Sequence, residues 1–155
     1  MANPMKRTKR ETERSSLMHV GRRVDYAVRA LAYLAAQPPR KMVSKEEIRR
    51  NQDIPAHFLS KIMSDLVNGG LVESRLGYRG GFRLARPAVA TSIKDIYEAV
   101  EGPLTIIACV EHGETHCWFS SVCSQISVWN KAQSLLASYL AKISIADIAD
   151  REGLR

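Results

Sequence analysis

Apolar residues recur at spacings of three and four between Arg22 and Gln37, at Val24, Ala27, Val28, Leu31, Leu34 and Ala35. That period predicts an amphipathic helix, and Pro38-Pro39 ends it. Ser44 followed three residues later by Glu47 is a capping-box pattern, so a short helix is predicted to about Asn51. Asp53-Ile54-Pro55 makes a tight link, with Pro55 suited to the first turn of the next helix. There Phe58, Leu59, Ile62, Met63, Leu66 and Val67 form one buried stripe, and His57, Ser60, Lys61 and Ser64 occupy the opposite face. Gly69-Gly70 supplies a left-handed stop. Leu71 to Arg75 alternates like a strand, Gly77 to Gly81 is a flexible turn, and Phe82 to Leu84 alternates back. The result is a hairpin with a basic, glycine-rich tip.

Beyond Pro87, Ser92 caps a helix through Ile93, Ile96, Tyr97 and Val100 that Gly102-Pro103 ends. Residues 104–124 are loop-like and hold all three cysteines. A last long helix is predicted from about Ser124 to Ile143. Its seam of Trp129, Ala132, Leu136, Tyr139 and Ile143 suits a partner helix, although two heptads are too few to define a coiled coil. Ser144 to Arg155 is a short polar tail, and residues 1–18 are a polar arm without apolar period. No internal repeat is visible.

Charge changes the picture next. The 155 residues carry a net charge of +7, distributed as +3 over residues 1–18, +7 over 19–86 and −3 over 87–155. The basic excess thus lies in the first 86 residues. A basic half binds polyanions through counter-ion release, and the competing reading is a solvated basic face. Hydrophobic residues at 45% and charged residues at 25% are ordinary for a globular chain. No apolar run reaches the roughly 18–20 residues of a membrane span. No apolar stretch follows the basic N-terminus as a secretory signal requires, so a cytoplasmic protein with reduced thiols and no membrane partner is expected.

Helix, helix, tight link, helix and hairpin, in that order, is a winged helix-turn-helix. The helix near residues 55–68 would enter the major groove of double-stranded DNA and offer His57, Ser60, Lys61 and Ser64. Arg79, beside Gly80 at the wing tip, suits a narrow minor groove. Arg75, Arg83 and the pair Arg22-Arg23 are expected phosphate contacts. The competing reading is a protein-interaction module of the same shape.

Cys109, Cys117 and Cys123 follow a C-x7-C-x5-C pattern. Three thiols this close can converge on an iron–sulfur cluster, or on zinc with His112 or His116 as a fourth ligand. They can also be redox thiols or plain structural cysteines. An enzyme built on a cysteine nucleophile would need a base and an oxyanion site. No catalytic motif surrounds His112 or His116, so no enzyme is expected.

Arg23 to Leu31 (RVDYAVRAL), the segment IPAHFLSKIMSDLVNGGLVESRLGYRGGFRLARP, the helix SIKDIYEAVEG and the cysteine triad together resemble the Rrf2 family of bacterial winged-helix transcription regulators, over about residues 20–145. The resemblance implies a mainly α fold with a small β-hairpin wing. It divides the chain into an arm (1–18), a winged helix-turn-helix (19–86), a linking helix with a cysteine loop (87–123), and a dimerisation helix with a short tail (124–155). It implies a homodimer, most simply a repressor, that senses iron, nitric oxide or redox state through a 4Fe–4S or 2Fe–2S cluster on Cys109, Cys117 and Cys123. The cysteine spacing is most similar to the RirA-like branch. IscR-like members place a histidine three residues after the last cysteine, where this chain has Ile126. NsrR-like members use an aspartate near the start of the first helix, supplied by the partner subunit, and Asp25 occupies the matching place. Glu111, His112, His116 or no protein ligand at all are the other candidates for that position. Asp25 also reads as an i, i+4 surface pair with Arg29.

Overall fold

A computed structural model describes residues 20–107, 110, 119 and 122–152. The arm at 1–18 lies outside the described residues. The chain divides into two compact units, one of residues 21–104 with 134–155, the other of residues up to Val20 with 105–133.

The larger unit is built on α1 (Arg22–Ala35), whose Val24, Tyr26, Ala27, Ala30, Leu31 and Leu34 are buried. Helix α2 (Lys45–Gln52) starts where Ser44 Oγ accepts the backbone N–H of Glu47. Only that half of the box forms, because the Glu47 carboxylate is engaged by Lys41 and Tyr33. Asp53 closes α2 in the left-handed region at φ 48°. Pro55 is the N-cap of α3 (Ala56–Asn68), which buries Leu59, Ile62, Met63 and Leu66. Burying side chains of this size is worth about 1.5–3 kcal/mol each. Helix α3 ends in a Schellman pair. Leu71 N–H donates to the Leu66 carbonyl at 2.9 Å and Gly70 N–H to that of Val67 at 3.0 Å. The left-handed residue of this stop is Gly70, at φ +69°.

Strands β1 (Val72–Arg75) and β2 (Gly81–Leu84) pair antiparallel, with Glu73 opposite Arg83. A third short strand, absent from the sequence-based expectation, is a single bridge between Val43 and Phe82, bonded in both directions at 2.8 and 2.9 Å. That bridge pins the wing to the segment before α2. It depends on Gly81, at φ +143°, because a Cβ there would overlap the Val43 carbonyl. Gly81→Ala is therefore expected to cost about 2 kcal/mol of stability, a typical figure for combined steric and backbone strain. Urea unfolding measures it, and an unshifted midpoint would show that the wing does not need this approach.

A 3₁₀ turn (Ala88–Ala90) leads to α4 (Ile93–Glu101), which carries a complete capping box between Ser92 and Asp95. Its Ile96 and Val100 complete the core beside α1 and α3. Helix α5 (Ile126–Lys142) has no buried residue.

The expected polar tail is instead a further helix, α6 (Ile145–Glu152). Ser144 caps it, exchanging hydrogen bonds with Asp147. Ile145 is fully buried in the core of the larger unit, and its N–H donates to the Thr91 carbonyl at 2.8 Å. Ile93 N–H donates to the Ile143 carbonyl in return. In the smaller unit, Ile106 N–H donates to Gln133 Oε1 at 2.8 Å, and Thr105 and Ile106 are nearly buried. Among the described residues, no helix is long and apolar enough to cross a membrane.

Candidate nucleic-acid interface and cysteine segment

The burial stripe of α3 leaves His57, Ser60, Lys61 and Ser64 exposed together on one face. The His57 ring leans on Phe58 with centroids 4.5 Å apart, and Phe58 packs edge-on against Tyr26 at 5.4 Å. Ser60 Oγ donates to the Ala56 carbonyl at 3.1 Å and accepts from Lys45 Nζ at 3.2 Å. Lys45 thus joins this face from the first turn of α2. Sequence reasoning missed it, because nothing local to residue 45 says which helix it will meet.

The α3 face, the start of α2 and the hairpin enclose an open cleft of about 540 Å³, lined among others by Lys45, Ser60, Ser64, Asn68, Ser74 and Arg75. Arg75 and Arg79 are exposed on the wing and pair with no acid among the described residues. Arg83 does pair: its guanidinium grips cross-strand Glu73 at 2.6 and 2.8 Å.

Arg22 and Arg23 divide. Arg22 is exposed, whereas Arg23 turns inward, 2.7 Å from Asp65 of α3 and 3.4 Å from Glu101 of α4. Its Nε is buried without a hydrogen-bond partner among the described residues. Arg23 is thereby a strut between three helices, with its charge already met by two carboxylates. Asp65 also holds Lys61, at 3.1 Å on its other oxygen. One carboxylate, only 15% exposed, therefore anchors both the partly buried Arg23 and an outward-reaching lysine.

The acids of α2 are engaged on their own helix and against α1. Arg49 and then Arg50 bond the Glu46 carboxyl and hold it down at about 2. A hydrogen bond from Lys41 lowers Glu47, and burial with Glu47 beside it raises the Tyr33 phenol. The cleft keeps a cationic and hydroxyl-rich lining, the chemistry that meets phosphate oxygens and base edges.

Of the cysteine triad, Cys123 is half-buried, carries a free thiol and lies three residues before Ile126, the first residue of α5. Cys109 and Cys117 lie outside the described residues, as do Glu111, His112 and His116. Among the described residues no three metal-ligating side chains cluster. Asp25 sits in the first turn of α1 with its side chain 58% exposed, 3.3 Å from Arg29. Arg29 is held independently by the Gln52 carbonyl at 2.8 Å and lies 5.0 Å from the centre of the Tyr26 ring. The Asp25 carboxylate therefore remains accessible, and three thiolates with one such carboxylate form a donor set that fits an iron–sulfur cluster.

Residues 20–151 match the family model described as Rrf2, iron-dependent transcriptional regulator. The chain is similar to the HTH-type transcriptional regulator NsrR of Halalkalibacterium halodurans, 29% identical over 83% of this chain and 88% of that protein. Among solved structures it is similar to T. potens IscR, 27% identical with a TM-score of 0.65, covering 87% of this chain and 88% of the other. The fold also matches CymR, the global cysteine regulator of B. subtilis, at a TM-score of 0.70 and 22% identity, covering 86% and 98% of the two chains.

Proposed function

The chain belongs to the Rrf2 family of transcriptional regulators, and from that premise we propose a homodimeric repressor that senses iron, nitric oxide or redox state through an iron–sulfur cluster. It is a DNA-binding winged-helix regulator and not an enzyme, as its relatives are. The observation that carries the reading is the shared cleft. Ser60 and Ser64 of the α3 face, Lys45 of α2 and Arg75 of the wing, which pairs with no acid among the described residues, border one opening, an arrangement that suits simultaneous groove and phosphate contact with a duplex. His57, Ser60 and Ser64 would meet the major groove, Lys61 the groove or the phosphates at its edge, and Arg22, Arg75 and Arg79, with Lys45, the backbone or minor groove. Arg23 and Arg83 act one step back, by fixing α3 and the hairpin.

Helix α5 supports the dimer. It buries none of its 17 residues, and Val128, Leu135, Leu136 and Tyr139 stay exposed, which a second copy would cover. Two recognition helices must lie about 34–36 Å apart to meet successive major grooves, so the dimer sets operator spacing.

Cys109, Cys117 and Cys123 would hold the cluster, 4Fe–4S or 2Fe–2S, with the partner subunit's Asp25 at the remaining position. When bound, the cluster supplies an inorganic centre reactive toward oxygen and nitric oxide. The protein's own part is mechanical. Asp25 lies two residues beyond Arg23 on α1, and Arg23 holds α3 through Asp65, so a shift of α1 moves the recognition helix. Such a regulator works beside its DNA, in the cytoplasm. The alternative is a zinc or thiol switch, which the histidines at 112 and 116 favour.

Protein purified without oxygen tests the reading. Visible absorption with iron and acid-labile sulfide is expected, together with salt-sensitive binding to the DNA upstream of its own gene. Colourless protein with stoichiometric zinc and full DNA binding would assign the alternative. Lys61→Ala is expected to weaken that binding across sequences and to lower the salt slope by about one. An unchanged slope in a salt titration would remove Lys61 from the phosphate contacts.

A further inference from the structure

The outermost point of the protein's wing is apolar. Leu76 and Tyr78 are 96% and 102% exposed. Tyr78 lies within a tight turn closed by the Gly80 N–H to the Gly77 carbonyl at 2.9 Å, and Leu76 immediately precedes that turn. Arg75 and Arg79 flank them, both exposed, and the acid of this hairpin, Glu73, is already held by Arg83. Arg75, Leu76 and Gly77 border the same cleft as Ser64 and Asn68 of α3. A duplex seated on α3 therefore meets this apex. Single exposed apolar residues need no explanation, but two within three positions, bracketed by unopposed cations, form a patch that suits an anionic partner with an apolar interior.

The minor groove has that chemistry. Its walls are phosphate, its floor carries the acceptors of adenine N3 and thymine O2, and apolar wedges from other proteins part its base steps. The phenol of Tyr78 offers a flat ring to a parted step and an O–H donor to the floor acceptors. With the wing tip at the minor groove, as the operator-binding reading has it, we propose that Tyr78 wedges against a base step and bends the duplex, while Leu76 lies along the groove wall. The inference rests on the operator-binding reading and adds the bend. It also places a flexible pyrimidine–purine step beneath each wing, since such steps part most cheaply.

The test uses the full chain, purified without oxygen, and the duplex upstream of its own gene that it protects from nuclease. Bending is read by circular-permutation mobility, and unstacking by 2-aminopurine fluorescence at the step under the wing. Wild type is expected to bend the duplex and raise the fluorescence. Tyr78→Ala is expected to bind about tenfold more weakly, to lose most of both signals, and to keep the same footprint. Because Tyr78 touches solvent on all sides, the variant should unfold at the wild-type midpoint. Tyr78→Phe is expected to retain the bend, and an equal loss in both variants would overturn the wedge. Wild-type affinity and bend in Tyr78→Ala would overturn it too. So would a change in oligomeric mass without a change in DNA binding, which would make the tip a contact between copies. Failure of wild type to bind any duplex from this region would instead overturn the operator reading, and the wedge with it.

Discussion

Cys117→Ala is expected to emerge from oxygen-free purification colourless, with iron and acid-labile sulfide near zero, and with DNA binding that no longer responds to nitric oxide or iron chelation. Each thiolate supplies one of the few strong bonds that hold a cluster, so losing one leaves an iron open to solvent and chelators. The fold should survive. The core of the larger unit is assembled from α1, α2, α3, α4, α6 and the hairpin, and among the described residues none of its side chains is a cysteine. Circular dichroism and an unchanged unfolding midpoint check that survival, and metal analysis with visible absorption reads the loss. A Cys117→Ala protein that kept wild-type iron and a normal response would remove the triad from sensing. Asp25→Ala separates the fourth position from the triad. It should leave some cluster bound but make it more labile, because in the proposed site the carboxylate would be one ligand of four, on an accessible turn.

Ile145→Ala should lower the stability of the winged-helix unit by about 2–4 kcal/mol, the usual cost of truncating a fully buried isoleucine. For a protein with a total of about 5–15 kcal/mol this is a large fraction. At roughly 2–4 °C per kcal/mol for a chain of this size, the melting temperature should fall by about 5–15 °C. Ile145 belongs to the core, its helix packs against α1 and the 3₁₀ turn, and the adjoining backbone bonds join Ile145 to Thr91 and Ile143 to Ile93. A cavity there has little freedom to collapse. The measurement is urea or thermal unfolding at one fixed protein concentration, since association shifts apparent stability. A midpoint within error of wild type would mean that α6 does not dock. Asp147→Ala provides a scale within the same helix. Removing that half of the cap should cost about 1 kcal/mol.

Much of the architecture was legible along the chain. The stripe of α3, its Gly69-Gly70 stop, the Ser92 cap of α4 and the alternation of the hairpin are signals contained within a turn or two of backbone. They survive in the fold within a residue or two. So does the partition of charge, because it depends only on composition. The shared face of His57, Ser60, Lys61 and Ser64 was also legible, since a helical period places them there whatever surrounds the helix.

Contacts between segments distant in sequence were not legible. Arg22 and Arg23 are adjacent and chemically identical, yet one stays exposed and the other is engaged by Asp65 and Glu101, 42 and 78 residues away. Arg83 looked like Arg75 until register placed Glu73 opposite it. Lys45 gained its place beside Ser60 only when α2 packed against α3. Ile145 and Ile148 gave too short a pattern to stand out, because eight residues cannot hold a helix in water alone and α6 exists only where the α1 and Thr91 surface receives it. The sequence by itself therefore determined the elements and the residues each could present, through torsional and periodic preferences that act over a few positions. Only the tertiary structure decided which arginines are engaged by carboxylates and which isoleucines are core, because Coulomb attraction and burial act on distance in space and not on distance along the chain.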